Sequence, residues 1–184
     1  MTPTPEFAQD SRLLEEAYEL AADAHHGTPR RKGTDIDHPA AVGRLLSEQG
    51  CGDEVVAAGL LHDVLEDTDT EVSEIVERFG SDVGDLVSVL TEDASIEPYE
   101  ERKAEHRARV ARGGPDAAAI YAADKLARVR ALRDEGAAVP DAKLQHYRHS
   151  FEELRDAHPE LPFLVQLGDE LRALDVERER VGHR

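Results

Sequence analysis

Gly59-Leu60-Leu61-His62-Asp63-Val64-Leu65-Glu66-Asp67 closes a run of apolar residues that begins near Val55. The spacing of that run is helical, and it predicts a buried helix from about Asp53 to Glu66. His-Asp, followed one turn later by Glu-Asp, interrupts the apolar character abruptly. A separation of four residues sets Glu66 above His62 and Asp67 above Asp63 on neighbouring tracks. Three carboxylates and an imidazole along one buried wall repel each other and are costly to desolvate. A divalent cation removes that cost, because neutral imidazole and carboxylate are its natural ligands. Two distant residues have the same character. His38 stands at a helix start in Asp37-His38-Pro39, and Asp124 lies among small apolar neighbours in Tyr121-Ala122-Ala123-Asp124-Lys125-Leu126. An aspartate so placed needs a cationic partner.

Working outward, the spacing is helical nearly everywhere, and no stretch alternates long enough to argue a strand. The expected helices run from Thr4-Pro5 to Gly27, from His38-Pro39 to Gly50, from Asp53 to Glu66 and from Thr70 to Gly80. Further helices are expected at Ser81 to Thr91, Tyr99 to Arg112 and Asp116 to Glu135, with two more opened by Pro140 and Pro162. The reading is all-α: a bundle of about eight helices in a single domain over 1–184, with a core at about 5–135 and C-terminal helices at 140–180. No internal repeat or linker divides the chain.

The 184 residues carry 22 basic and 40 acidic side chains, a net charge of −18. Such a surface repels phosphate backbones and anionic lipid, which argues against nucleic acid and membrane surfaces as partners. The only cysteine, Cys51, excludes an intramolecular disulfide and suits a reducing cytoplasm. The N-terminal residues have no basic stretch followed by an apolar run, and no window approaches 18 consecutive apolar residues. A cytoplasmic location is therefore expected. Composition leaves oligomeric state open.

The order His … His-Asp … Asp, with its flanks, resembles the HD superfamily of metal-dependent phosphohydrolases. Within it, the segments are similar to the hydrolase domain of Rel/Spo-type alarmone hydrolases and to the stand-alone small alarmone hydrolases. The resemblance extends from about Ala21 to Leu132. It includes AHHGTPRRKGTDIDHP, AAGLLHDVLEDTDT, Phe79-Gly80, LTEDAS, Glu101-Arg102-Lys103 and AADKL. It implies an HD-domain helical bundle in which His38, His62, Asp63 and Asp124 ligate one metal ion. It also implies that Glu66 and Asp67 are catalytic carboxylates that orient or activate the attacking water. Manganese is the metal it suggests; the spacing alone leaves iron, cobalt and zinc open. The implied reaction is hydrolysis of the 3′-pyrophosphate of guanosine 3′,5′-bis(diphosphate), ppGpp or pppGpp, to GDP or GTP and pyrophosphate.

The basic run Arg30-Arg31-Lys32 fits this nucleotide, since a basic pair at this place in the family contacts base and phosphates. Two features depart from the pattern. Gly33 to His38 lacks the family's Pro-Tyr-Ile turn and is one residue short, and Ala127-Arg128-Val129-Arg130 replaces the usual His-Asn-x-Arg. Arg128, one turn beyond Asp124, can pair with that carboxylate or hold a phosphate in place of the asparagine. Both departures fall on substrate recognition. They leave room for a second reading, a phosphohydrolase of another nucleotide such as a nucleoside monophosphate or NADPH. A third is a non-catalytic nucleotide-binding HD domain, disfavoured by the intact Glu66 and Asp67.

The other polar residues suggest less. His25 and His26 end a helix, where imidazolium suits the dipole. His146 and His149 lie three apart without a carboxylate cluster, and Arg102 and Lys103 lie on a helix whose charges are expected to face water. Glu92-Asp93 is expected at the surface.

Overall fold

A computed structural model of the chain describes residues 3–25, 36–136 and 139–182. The elements are a 3₁₀ turn (Glu6–Ala8), α1 (Arg12–His25), α2 (Asp37–Glu48), α3 (Asp53–Leu61), α4 (Val64–Asp67), α5 (Val72–Phe79), α6 (Ser81–Leu90), α7 (Tyr99–Arg112), α8 (Pro115–Asp134), α9 (Asp141–Ala157) and α10 (Leu164–Gly182). No strand occurs among the described residues, so the all-α expectation holds. Two predicted helices are broken. The first separates into the 3₁₀ turn and α1, and the third splits at His62-Asp63 into α3 and α4. In a continuous helix the Gly59 carbonyl would accept from the Asp63 amide. Here His62 Nδ1 donates to that carbonyl at 2.8 Å, and the chain turns before α4 begins.

The centre of the molecule is built by α3 and α8. Every residue from Val55 to Leu61 is buried, as is every residue from Ala117 to Ala127. Helices apolar all round are those enclosed on every side. Here α1, α2, α6 and α8 pack around α3, while α7, α9 and α10 close over α8. The two polar residues inside the α8 segment, Asp124 and Lys125, are therefore desolvated by the same packing that buries its alanines.

The α2–α3 pair positions two of the site residues. The helices form a hairpin turned at Gly50, whose positive φ of 74° suits glycine. The start of α2, with His38, thus comes beside the end of α3, with His62. Close approach depends on glycines at both helix faces. A Cβ on Gly59 would lie 2.4 Å from Leu46 Cδ1, and one on Gly43 would lie 2.9 Å from Leu60 Cδ2. Leu46 and Leu60 are fully buried and have little room to yield. Gly59→Val is expected to destabilise the fold by about 1–3 kcal/mol through overpacking, read as a lower urea midpoint. An unchanged midpoint would mean that α2 and α3 can part without loss.

Candidate active site

Four side chains from three separate stretches of the chain converge beside the turn between α3 and α4. His38 from α2, His62 from the end of α3 and Asp124 from α8 place ligand atoms within 4.8 Å of one another. Asp63 joins them, with Oδ1 3.1 Å from His62 Nε2 and Oδ2 4.0 Å from His38 Nε2. His38 Nε2 lies 3.0 Å from Asp124 Oδ1, and the two imidazole rings meet edge to face with centroids 5.3 Å apart.

The protonation pattern suits a cation. A carbonyl oxygen only accepts, so His62 Nδ1 must carry the proton it gives to Gly59. Nε2 is then the nitrogen available to a metal ion. It is buried, and among the described residues no well-formed hydrogen bond reaches it; Asp63 Oδ1 lies 3.1 Å and Asp124 Oδ1 3.8 Å away. Burial alone would lower the His62 pKa, but Asp63 and Asp124 override it and push the value up to about 9. Burial would raise the aspartates, yet His62 holds Asp63 well below the usual carboxylate range, and Lys125 does the same for Asp124. His38, dominated by its burial, is lowered and stays neutral. The cluster thus concentrates negative charge around one orphaned imidazole nitrogen. That donor set, two imidazoles and two carboxylates, fits a divalent ion, whose arrival would release the His62 proton.

Beyond the cluster opens a cavity of about 380 Å³. Glu66 and Asp67 line it from α4, across from Arg128, Lys125, Lys103 and Lys143. Glu66 does not sit above His62 as in a continuous helix; after the break its Oε1 accepts from the Glu92 amide at 2.7 Å. Arg128 turns inward, donating to Asp63 Oδ2 at 3.0 Å and reaching within 3.7 Å of Asp124. Asp124 also meets Lys125, which lies 4.1 Å over the Tyr121 ring. Burial would lower Lys125, but Asp124 holds it above the usual lysine range, so the charge persists.

Several sequence expectations need correction. Glu92 is not surface; it is largely buried, joined to Arg102 and Lys103, and lines the cavity. Lys103 faces inward as well. His25 is buried, neither ring nitrogen meets a partner among the described residues, and desolvation lowers its pKa, so it is no helix-end imidazolium. His146 lines the cavity while His149 is exposed, so they form no ligand pair. Arg30, Arg31, Lys32, His26 and the first part of the Gly33–His38 turn lie outside the described residues.

The sequence reading missed Lys125, Lys143 and the histidines His106 and His146 as cavity residues. The signal for α7 was present: Lys103, His106, Arg107 and Val110 are its buried residues, an inner stripe at helical spacing that happens to be polar.

Comparison with known proteins agrees with this geometry. The pattern described as the HD domain matches residues 17–156. A guanosine-3′,5′-bis(diphosphate) 3′-pyrophosphohydrolase MESH1 of Homo sapiens is 38% identical over 145 residues, 76% of this chain and 79% of that protein. The Xenopus tropicalis MESH1 is 36% identical over 132 residues, 69% of this chain and 73% of that one. The Aquifex aeolicus enzyme of the same description is 36% identical over 129 residues, which are 68% of this chain but only 18% of that longer protein. Among solved structures, a metazoan ortholog of SpoT that hydrolyzes ppGpp superposes with a TM-score of 0.74 at 29% identity. That match covers 89% of this chain and 96% of its own.

Proposed function

Because this chain belongs to the HD-domain family, we propose that it is a metal-dependent hydrolase that removes the 3′-pyrophosphate of ppGpp or pppGpp. Water adds to phosphorus, the bond to the ribose 3′ oxygen breaks, and GDP or GTP leaves with one pyrophosphate. The observation that carries the reading is the buried Nε2 of His62, gathered with His38, Asp63 and Asp124, in a cavity that carries both carboxylates and the cations Lys103, Lys125, Arg128 and Lys143. The resemblance to proteins described as ppGpp hydrolases adds the substrate.

His38, His62, Asp63 and Asp124 would hold the ion, with manganese the expected metal. A divalent ion there supplies Lewis acidity and lowers the pKa of water toward neutrality. Glu66 and Asp67 orient the water and accept its proton, a contribution of about 10²–10⁴ in rate. Lys103, Lys125 and Arg128 offset the substrate's charge in a molecule of net charge −18. Arg30, Arg31 and Lys32 are proposed to contact the nucleotide. We place the activity in the cytoplasm, where the lone thiol of Cys51 stays reduced.

The test offers manganese-loaded protein ppGpp, nucleoside monophosphates and NADPH, distinguishing released pyrophosphate from orthophosphate. Pyrophosphate from ppGpp alone is expected. Orthophosphate from another nucleotide, or no turnover, would overturn the assignment. Replacing manganese by iron, cobalt or zinc in the same assay tests the metal.

A further inference from the structure

The cationic end of the cavity contains two histidines that the proposed hydrolysis does not use. His146, from α9, is 5% exposed, and its Nδ1 lies 3.1 Å from Arg107 Nη1. A guanidinium has only donors, so Nδ1 must accept, and the ring proton resides on Nε2. Arg107 is itself fixed through a 2.8 Å bond to Glu153. The imidazole is therefore held as one neutral tautomer. Among the described residues no partner meets His146 Nε2–H, and the residue lines the cavity. His106, from α7, packs edge to face on Tyr121 with ring centroids 5.3 Å apart. Its Nε2 is buried without a hydrogen-bond partner. Burial, then Lys125, lowers both histidines, His106 to about 3 and His146 to about 2.

His146 Nε2–H, set by its tautomer and unmatched by any described residue, is a pre-oriented donor for an acceptor oxygen of a ligand that enters the cavity. The neighbouring Lys103, Lys125 and Lys143 select what that ligand carries: several negative charges on acceptor oxygens. We propose that His146 donates its Nε2–H to an oxygen of a diphosphate group bound in this part of the cavity. The inference rests on the hydrolase reading for the identity of the substrate. The diphosphate is either the leaving 3′-pyrophosphate or the 5′-diphosphate of the same nucleotide. Both present the same chemistry.

The test uses metal-loaded protein and two variants, His146→Ala and His146→Gln. Calorimetry measures Kd for inorganic pyrophosphate and for GDP, and kinetics measure KM and kcat with ppGpp. His146→Ala is expected to raise KM and one of the two Kd values about tenfold while kcat changes less than threefold. His146→Gln, which restores a donor near Nε2, is expected to recover most of that loss; a merely structural role would show no such rescue. Nitrogen-15 spectra of the wild type should show neutral His146 with its proton on Nε2. Weakening confined to pyrophosphate assigns the subsite to the leaving group, and weakening confined to GDP assigns it to the 5′-diphosphate. If the wild type hydrolyses ppGpp but the constants of a folded His146→Ala do not move, the subsite fails alone. If ppGpp is not hydrolysed yet diphosphate binding still weakens, the substrate reading fails and the subsite stands. Binding of neither probe overturns the subsite, and turnover of ppGpp alone decides the hydrolase reading.

Discussion

Asp63→Ala is expected to lose bound metal and turnover together, with kcat/KM falling at least about 10³-fold. The magnitude follows from the several kcal/mol that a metal ion contributes to charge stabilisation in phosphoryl transfer, at about 1.4 kcal/mol per factor of ten. Asp63 is the informative member of the proposed ligand set to remove. Its carboxylate faces both His62 and His38, so its loss takes away charge that the other donors cannot replace. Its other partner, Arg128, is partly exposed and can turn to water, so the fold should survive. Asp124→Ala is a poorer probe, because it would strand the buried Lys125 without its carboxylate. Metal content by elemental analysis, thermal midpoint and pyrophosphate release from ppGpp are measured on the same preparation. Metal retained at full stoichiometry, with activity lost, would remove Asp63 from the ligand set. A chelator should abolish wild-type turnover, and added manganese should restore it.

The cluster was legible because its residue types contradict their surroundings. His62-Asp63 ends an apolar helix, and Asp124 sits among alanines on α8, so each announced a need for a cation before any geometry was known. Helical periodicity also located α5 to α10 within a few residues. It failed where a side chain competes with the backbone. The bond from His62 to the Gly59 carbonyl divides what the apolar pattern reads as one helix, and it moves Glu66 from a position above His62 to a partner on the α6–α7 connection.

The far wall of the cavity was hidden for a different reason. Lys103 and His106 line it from α7 and, with Arg107, are buried by packing against α8 and α9. Spacing reveals that such residues share a face, but a charged face reads as solvated until the covering helices are known. Glu92 illustrates the cost of that assumption. Its charge reads as surface, yet its side chain joins Arg102 and Lys103 while its amide fixes Glu66, linking the cationic wall to the proposed catalytic carboxylate.

That link makes Glu66→Gln the sharpest test of water activation. Glutamine keeps an oxygen that can accept from the Glu92 amide, so the side chain should hold its place, and no metal ligand is altered. What disappears is the capacity to take a proton. The expected result is a fall in kcat of about 10²–10⁴-fold, with metal content, thermal midpoint and KM close to wild type. Asp67→Asn, measured alongside, divides the role between the two carboxylates. A larger loss there would make Asp67 the proton acceptor and leave Glu66 to orient the water. Full activity in both variants would eliminate the carboxylates of α4 from the chemistry and leave the attacking water to be activated at the ligand cluster alone.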